Sequence, residues 1–173
     1  MQGYNSFAMP ILDAHSLEFF SKSPEQTRRI GMRLGSALKK GDVLCLQGEL
    51  GAGKTTFVQG IAQGWGSLDS VSSPTFIIVN VYRRTDGAQL FHLDTYRLES
   101  QPEAEELDID SMLSEGVLIV EWPERLGNLI PEERLWVKLD HILDEQRLML
   151  FNAKGERYDN LLAGIRDTMF GGG

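Results

Sequence analysis

Apolar residues recur along this chain in two rhythms. After Ser23-Pro24-Glu25-Gln26, the residues Ile30, Leu34, Ala37 and Leu38 fall on one face of a helix. Its start has Ser23 as N-cap, Pro24 at the first helical position and Gln26 at the third, and Gly41 is expected to end it. "VLCLQ" (43–47) has the length and the apolar texture of a strand buried on both faces. A glycine-rich stretch follows, then a second helix with Phe57, Ile61 and Trp65 four apart. "SSPTF" (72–76) is a loop entering the strand "FIIVNVYRR", Asp86-Gly87 marks a hairpin, and "AQLFHLD" (88–94) is the return strand. The acidic "SQPEAEELDIDSML" predicts a short helix over part of its length. "GVLIVE" (116–121), "RLWVKLD" and "RLMLFNA" read as three more strands, and "YDNLLAGIRDTM" as a last helix facing Leu161, Leu162, Ile165 and Met169 inward. Residues 1–10 read as a flexible lead-in and 170–173 as a tail. Strands alternating with helices predict an α/β fold whose sheet is parallel at its centre, flanked by helices and made mixed by the hairpin at 76–93. No repeat, linker or domain boundary interrupts residues 1–173, so one domain is expected.

Composition narrows the function classes. The apolar fraction of 42% and charged fraction of 24% are those of a globular protein. Apolar runs stay far below the roughly 20 residues that span a bilayer, and the N-terminus lacks the basic start and apolar core of a secretory signal. One cysteine, Cys45, cannot form an internal disulfide, which agrees with a cytoplasmic setting. Its strand environment predicts an inert thiol, and three scattered histidines make no zinc-type cluster. The net charge of −8 is poorly suited to direct nucleic-acid binding, which runs on Lys and Arg. The basic clusters at Arg28, Arg29 and Arg33 and at Arg83 and Arg84 are expected to be solvated faces.

The glycine stretch changes the picture most. Gly48-Glu49-Leu50-Gly51-Ala52-Gly53-Lys54-Thr55 fits G-x-x-x-x-G-K-[ST] between an apolar strand and an amphipathic helix, the setting of a phosphate-binding P-loop. Glycines let successive backbone N–H groups turn toward an anion, and the helix dipole adds to the field there. Lys54 can reach the β- and γ-phosphates, Thr55 can bind Mg²⁺, and Thr56 packs or touches the α-phosphate. The expected ligand is a nucleoside triphosphate with Mg²⁺. No N-K-x-D segment of the kind that reads guanine is present, so ATP is the default base.

Phosphoryl chemistry also needs a carboxylate near the metal. Asp94 and Glu121 each end an apolar strand, where ligands gather in α/β sheets. Either can be the second metal ligand. Thr75 lies in a loop of the kind that closes on γ-phosphate and metal. His92 is expected to pack or hydrogen-bond within the sheet, and Trp122 either stacks near the site or is structural.

With these pieces in place the chain resembles the bacterial ATPases of tRNA threonylcarbamoyladenosine modification, the TsaE (formerly YjeE) family. Four ordered elements carry the resemblance: "GELGAGKTT" at 48–56, "SPTF" at 73–76, "HLDTYRL" at 92–98 and "VEWPERL" at 120–126. It spans about residues 17–140; extra N-terminal residues and the region beyond about 145 match no family motif. The resemblance implies a small P-loop α/β domain that hydrolyses ATP slowly alone and works with the two proteins of the threonylcarbamoyl-transferase core, meeting tRNA only indirectly. It implies that Lys54 binds phosphate, that Thr55 and Glu121 hold Mg²⁺, that Asp94 supports hydrolysis, and that Ser73 to Phe76 act as a switch-like loop. Glu49 to Thr56, Thr75 and Trp122 form the implied nucleotide site, and Tyr96 and Arg97 match the motif. No arginine follows the P-loop in an obvious finger position, which agrees with a rate completed by a partner. A small-molecule kinase and a non-hydrolysing nucleotide-sensing adaptor are the alternatives.

Overall fold

The computed structural model describes residues 13–72 and 78–170. The lead-in at 1–10, Thr75 with the rest of the 73–77 segment, and the last three glycines lie outside the described residues. In chain order the elements are β1 (Ser16–Ser21), α1 (Pro24–Ser36), β2 (Val43–Gln47), α2 (Lys54–Trp65), β3 (Val79–Arg83), β4 (Gln89–Asp94), α3 (Gln101–Glu105), α4 (Ile109–Glu115), β5 (Gly116–Glu121), β6 (Arg134–His141), β7 (Arg147–Lys154) and α5 (Glu156–Phe170). Two short 3₁₀ turns, Pro123–Arg125 and Gly127–Leu129, follow β5. The strands form one seven-stranded sheet in the order β1-β7-β6-β2-β5-β4-β3. β2 runs parallel to both neighbours, β5 and β6, and β4 parallel to β5, while the β3–β4, β6–β7 and β1–β7 pairs are antiparallel. The fold is therefore mixed α/β and parallel at its centre.

Alternation along the central strands fills both faces. Leu44 and Leu46 of β2 and Val117 and Ile119 of β5 pack with α1, α2 and α5. Val43, Cys45, Leu118 and Val120 pack the other way, against Ala104, Ile109, Leu126 and Ile130. Period two sets the site's face as well. Glu121 follows Ile119 by two, and His92 and Asp94 follow Leu90 by two and four, so all three lie on the α2 side.

Helix α1 begins as expected, with the Ser23 hydroxyl accepting from the Gln26 N–H at 3.2 Å. It ends at Ser36, before the expected stop at Gly41. The reason is Asp42, which accepts from the Lys39 N–H at 2.7 Å and pairs with Arg157 at 2.7 Å, drawing residues 37–42 into a turn. Gly41, at φ +93°, serves that turn instead. β1 has no counterpart in the sequence reading, and Phe170 belongs to α5 rather than to a tail. The acidic segment forms two short helices, α3 and α4.

The α1 and α2 helices meet backbone to backbone. A Cβ at Gly35 would sit 2.0 Å from the Ile61 carbonyl oxygen; one at Gly64 would sit 1.9 Å from that of Met32. Gly31 and Gly60 are equally crowded, against Phe57 and Arg28. Each helix thus lays a pair of glycines four apart into the seam. Among the described residues no helix is long and apolar enough to cross a membrane.

Candidate functional site: a glycine-rich turn facing two carboxylates

The turn between β2 and α2 is residues 48–53. Gly48 is required by crowding, since a Cβ there would lie 2.7 Å from the Leu139 carbonyl oxygen. Gly53 is required by conformation: it is the N-cap of α2 at φ +102°, in the left-handed region that a side chain disfavours. A glycine cap offers no side-chain acceptor, so the first N–H groups of α2 are left for a ligand.

Lys54 opens the helix and is buried. Its Nζ donates back to the carbonyls of Gly48 and Glu49 and lies 4.2 Å from the centre of the Trp122 ring. Burial lowers its pKa, opposed by the negative charges of Glu121 and Asp94. The two carboxylates are neighbours by strand register, Asp94 of β4 beside Glu121 of β5. Asp94 is half-buried and its pKa is raised, first by burial and then by the charge of Glu121; the Tyr96 N–H, donated at 3.0 Å, works the other way.

Glu121 is buried and held from behind. His92, fully buried, donates Nε2–H to Glu121 Oε2 at 2.6 Å, and its Nδ1 stands 2.9 Å from the Tyr82 hydroxyl. The chain Tyr82–His92–Glu121 fixes the carboxylate and occupies one of its two oxygens. Thr95 secures the other side of the strand exit. Its hydroxyl reaches the carbonyls of Glu121 at 2.8 Å and Trp122 at 2.5 Å, and its own N–H donates to Glu121 O at 3.2 Å. Trp122 is held in a left-handed backbone conformation, φ +58°, uncommon for a bulky residue. That turn presents its ring to Lys54 on one side and to Tyr96 on the other, with ring centres 4.8 Å apart.

Lys54, Asp94, Glu121 and Trp122 line one cleft with Leu50, Gly51, Ala52, Gly53, Thr55 and Thr56. Its volume is about 340 Å³. Glu49 does not line it; its side chain is exposed and its carbonyl serves Lys54. Thr75, the remaining expected site residue, lies outside the described residues. Two cleft-side residues escaped the sequence reading. Thr95 acts through strand register, and Arg147 also lines the cleft from β7, far along the chain. Thr95 lies inside the "HLDTYRL" element, where the sequence reading gives it no role, and Arg147 belongs to no local pattern that would have marked it. Cys45 is fully buried, with its thiol pushed up to about 12 by desolvation, as an inert core residue should be.

A sequence model for "Threonylcarbamoyl adenosine biosynthesis protein TsaE" matches residues 21–149. The chain belongs to the TsaE family. The tRNA threonylcarbamoyladenosine biosynthesis protein TsaE of Bacillus subtilis (strain 168) is 41% identical over 147 residues, covering 84% of this chain and 90% of that protein. The protein of the same name from Streptomyces coelicolor is 42% identical over 137 residues, covering 76% and 93%. The crystal structure of Bacillus subtilis YdiB superposes with a TM-score of 0.73 at 33% identity, covering 89% of this chain and 96% of that one. The TsaE match stops at residue 149, so α5 and most of β7 lie beyond it. This TsaE-family chain thus carries its glycine-rich 48–53 turn and both carboxylates within the matched region.

Proposed function

We propose that this chain is a Mg²⁺-dependent P-loop ATPase of the cytoplasm. It serves tRNA threonylcarbamoyladenosine formation as an accessory component, and the two proteins of the threonylcarbamoyl-transferase core stimulate its turnover. The observation that carries the reading is the convergence of Lys54, at the start of α2, with Asp94 and Glu121 at the ends of two adjacent parallel strands. The names of the TsaE relatives supply the pathway. The net charge of −8 is a reason for tRNA to be met through partners rather than directly.

Each residue has a role that its surroundings support. Lys54, buried in the cleft that Asp94 and Glu121 also line, would hold the β- and γ-phosphates. The uncapped N–H groups of α2 and the backbone of the 48–53 turn would cradle the rest. Mg²⁺ prefers one or two protein ligands plus phosphate oxygens and water, which suits the hydroxyl of Thr55 and the second oxygen of Glu121. When bound, the metal neutralises charge on the phosphates. His92 and Thr95 keep Glu121 in place, and Asp94, with its raised proton affinity, would orient the attacking water.

The test is phosphate release from ATP and Mg²⁺ by the purified chain, alone and with both transferase-core proteins. Slow release alone, rising about tenfold or more with both, is the expected result. Unchanged release, with no complex formed at micromolar concentrations, would sink the proposal.

A further inference from the structure

Arg147 opens β7 and sits in register with His141 of β6 and Ser21 of β1. Its stem lies along the phosphate turn: a Cβ at Gly53 would be 3.5 Å from Arg147 Nε and 3.8 Å from Cγ. Nη1 donates to the carbonyls of Asp144 at 3.1 Å and Gln146 at 2.9 Å, both in the β6–β7 hairpin turn. Nη2 donates to the carbonyl of Gly51 at 3.2 Å, inside the phosphate turn. The guanidinium therefore bridges hairpin and P-loop using neutral acceptors only. No carboxylate pairs with it among the described residues. Its Nε–H is buried and has no acceptor among those residues. A buried, unmatched donor on a cation at the edge of an anion cleft points to an acceptor that arrives with a ligand.

The sheet order says which end of the ligand it meets. β2, which feeds the phosphate turn, has β5 on one flank and β6 then β7 on the other. The metal carboxylate and Asp94 mark the β5 flank as the γ-phosphate end. Arg147 arrives from the opposite flank. We propose that Arg147 is a nucleotide-binding residue, a cation brought by the β6–β7 hairpin to the α-phosphate end of a bound adenine nucleotide while it stays latched to Gly51. This rests on the ATPase reading above and adds a binding residue to it. It is distinct from a finger on the transferred phosphoryl group, because it would act on ADP and ATP alike.

Calorimetry with MgADP and with a non-hydrolysable MgATP analogue tests it, on wild type, Arg147→Met and Arg147→Lys. Methionine keeps an apolar stem over Gly53 and removes the charge; lysine keeps the charge and loses the fork. Arg147→Met should weaken both nucleotides by the same factor, about tenfold, and flatten the salt dependence of MgADP binding; Arg147→Lys should recover part of both. Should Arg147→Met fail to fold, the comparison of wild type with Arg147→Lys carries the test, with loss of equal size for both nucleotides expected. Unchanged affinity in a variant that folds overturns the inference. So does a loss confined to the triphosphate, or a loss with no change in salt dependence, the mark of a latch that never touches phosphate. A wild type that binds neither nucleotide overturns the ATPase reading itself, whereas wild-type binding with an indifferent Arg147→Met overturns this inference alone.

Discussion

The 48–53 turn and the α1/α2 seam are both built on glycine, for different reasons. In the turn, Gly53 holds a left-handed backbone at φ +102° and Gly51 one at φ +81°, with nothing within 4 Å of a Cβ at Gly51. In the seam, Gly35 and Gly64 have helical backbones that any residue adopts, yet a Cβ at either would lie about 2 Å from a carbonyl oxygen of the facing helix. The first use concerns the shape of the chain, the second the distance between two helices. A glycine inside a helix costs about 1 kcal/mol relative to alanine. The seam accepts that cost at four positions so that α2, whose N-terminus points into the cleft, lies directly on α1.

The comparison can be broken or sharpened by substitution. The largest effect belongs to the chemistry beside the turn. Lys54→Ala and Glu121→Ala should each lower partner-stimulated phosphate release by about 100-fold or more, with far-ultraviolet circular dichroism unchanged. Wild-type turnover in both would refute the assignment of this cleft. Next comes the seam. Gly64→Ala should cost about 2–3 kcal/mol in urea denaturation, because the new methyl meets backbone that must move, while turnover per folded molecule changes less than about twofold. Gly51→Ala should be milder, about 1 kcal/mol, set by left-handed strain alone since the space is open. If Gly51→Ala proved the more destabilising of the two, the contrast between shape and distance would fail.

The smallest effect has an opposite sign. The pKa of Asp94 is raised in the fold by burial. The folded chain thus holds that proton more tightly than the unfolded chain does. Its contribution to stability is present below the unfolded carboxylate pKa and is lost as pH rises through the folded one. Asp94→Asn should therefore raise the melting temperature of the nucleotide-free protein at neutral pH, with a gain that shrinks toward acid, while turnover falls. A melting curve unchanged at every pH from acid to neutral would show that burial of Asp94 is not felt as strain.

Much of this was legible in local pattern. β2 and β5 have the expected bounds because the apolar runs 43–46 and 117–120, each closed by a polar residue, admit few other readings. The strand ends then placed Asp94 and Glu121 with Lys54 in one cleft. β1 was not legible: an edge strand buries one face, so "SLEFFS" offers only Leu17 and Phe19 as inward residues, too few to set a period. The glycines of the seam carried no signal in the sequence, since their reason lies in the facing element. His92 shows a middle case. Its place in the sheet could be expected from "LFHLD", but its two partners, Tyr82 and Glu121, come from two other strands and depend on register. Arg147 depends on sheet order, which no local window encodes.

The position of β2 also governs when the site can exist during synthesis. Residues 43–46 are apolar toward both faces, and β2 takes its neighbours from residues 116–121 and 134–141. A growing chain emerges N-terminus first, and non-local strand pairs close slowly. The strand that leads into the phosphate turn is therefore made early and left unpaired until most of the chain has followed. Until then its apolar residues are an exposed liability on the ribosome, and the cleft that holds Lys54, Asp94 and Glu121 is completed only near the end of translation.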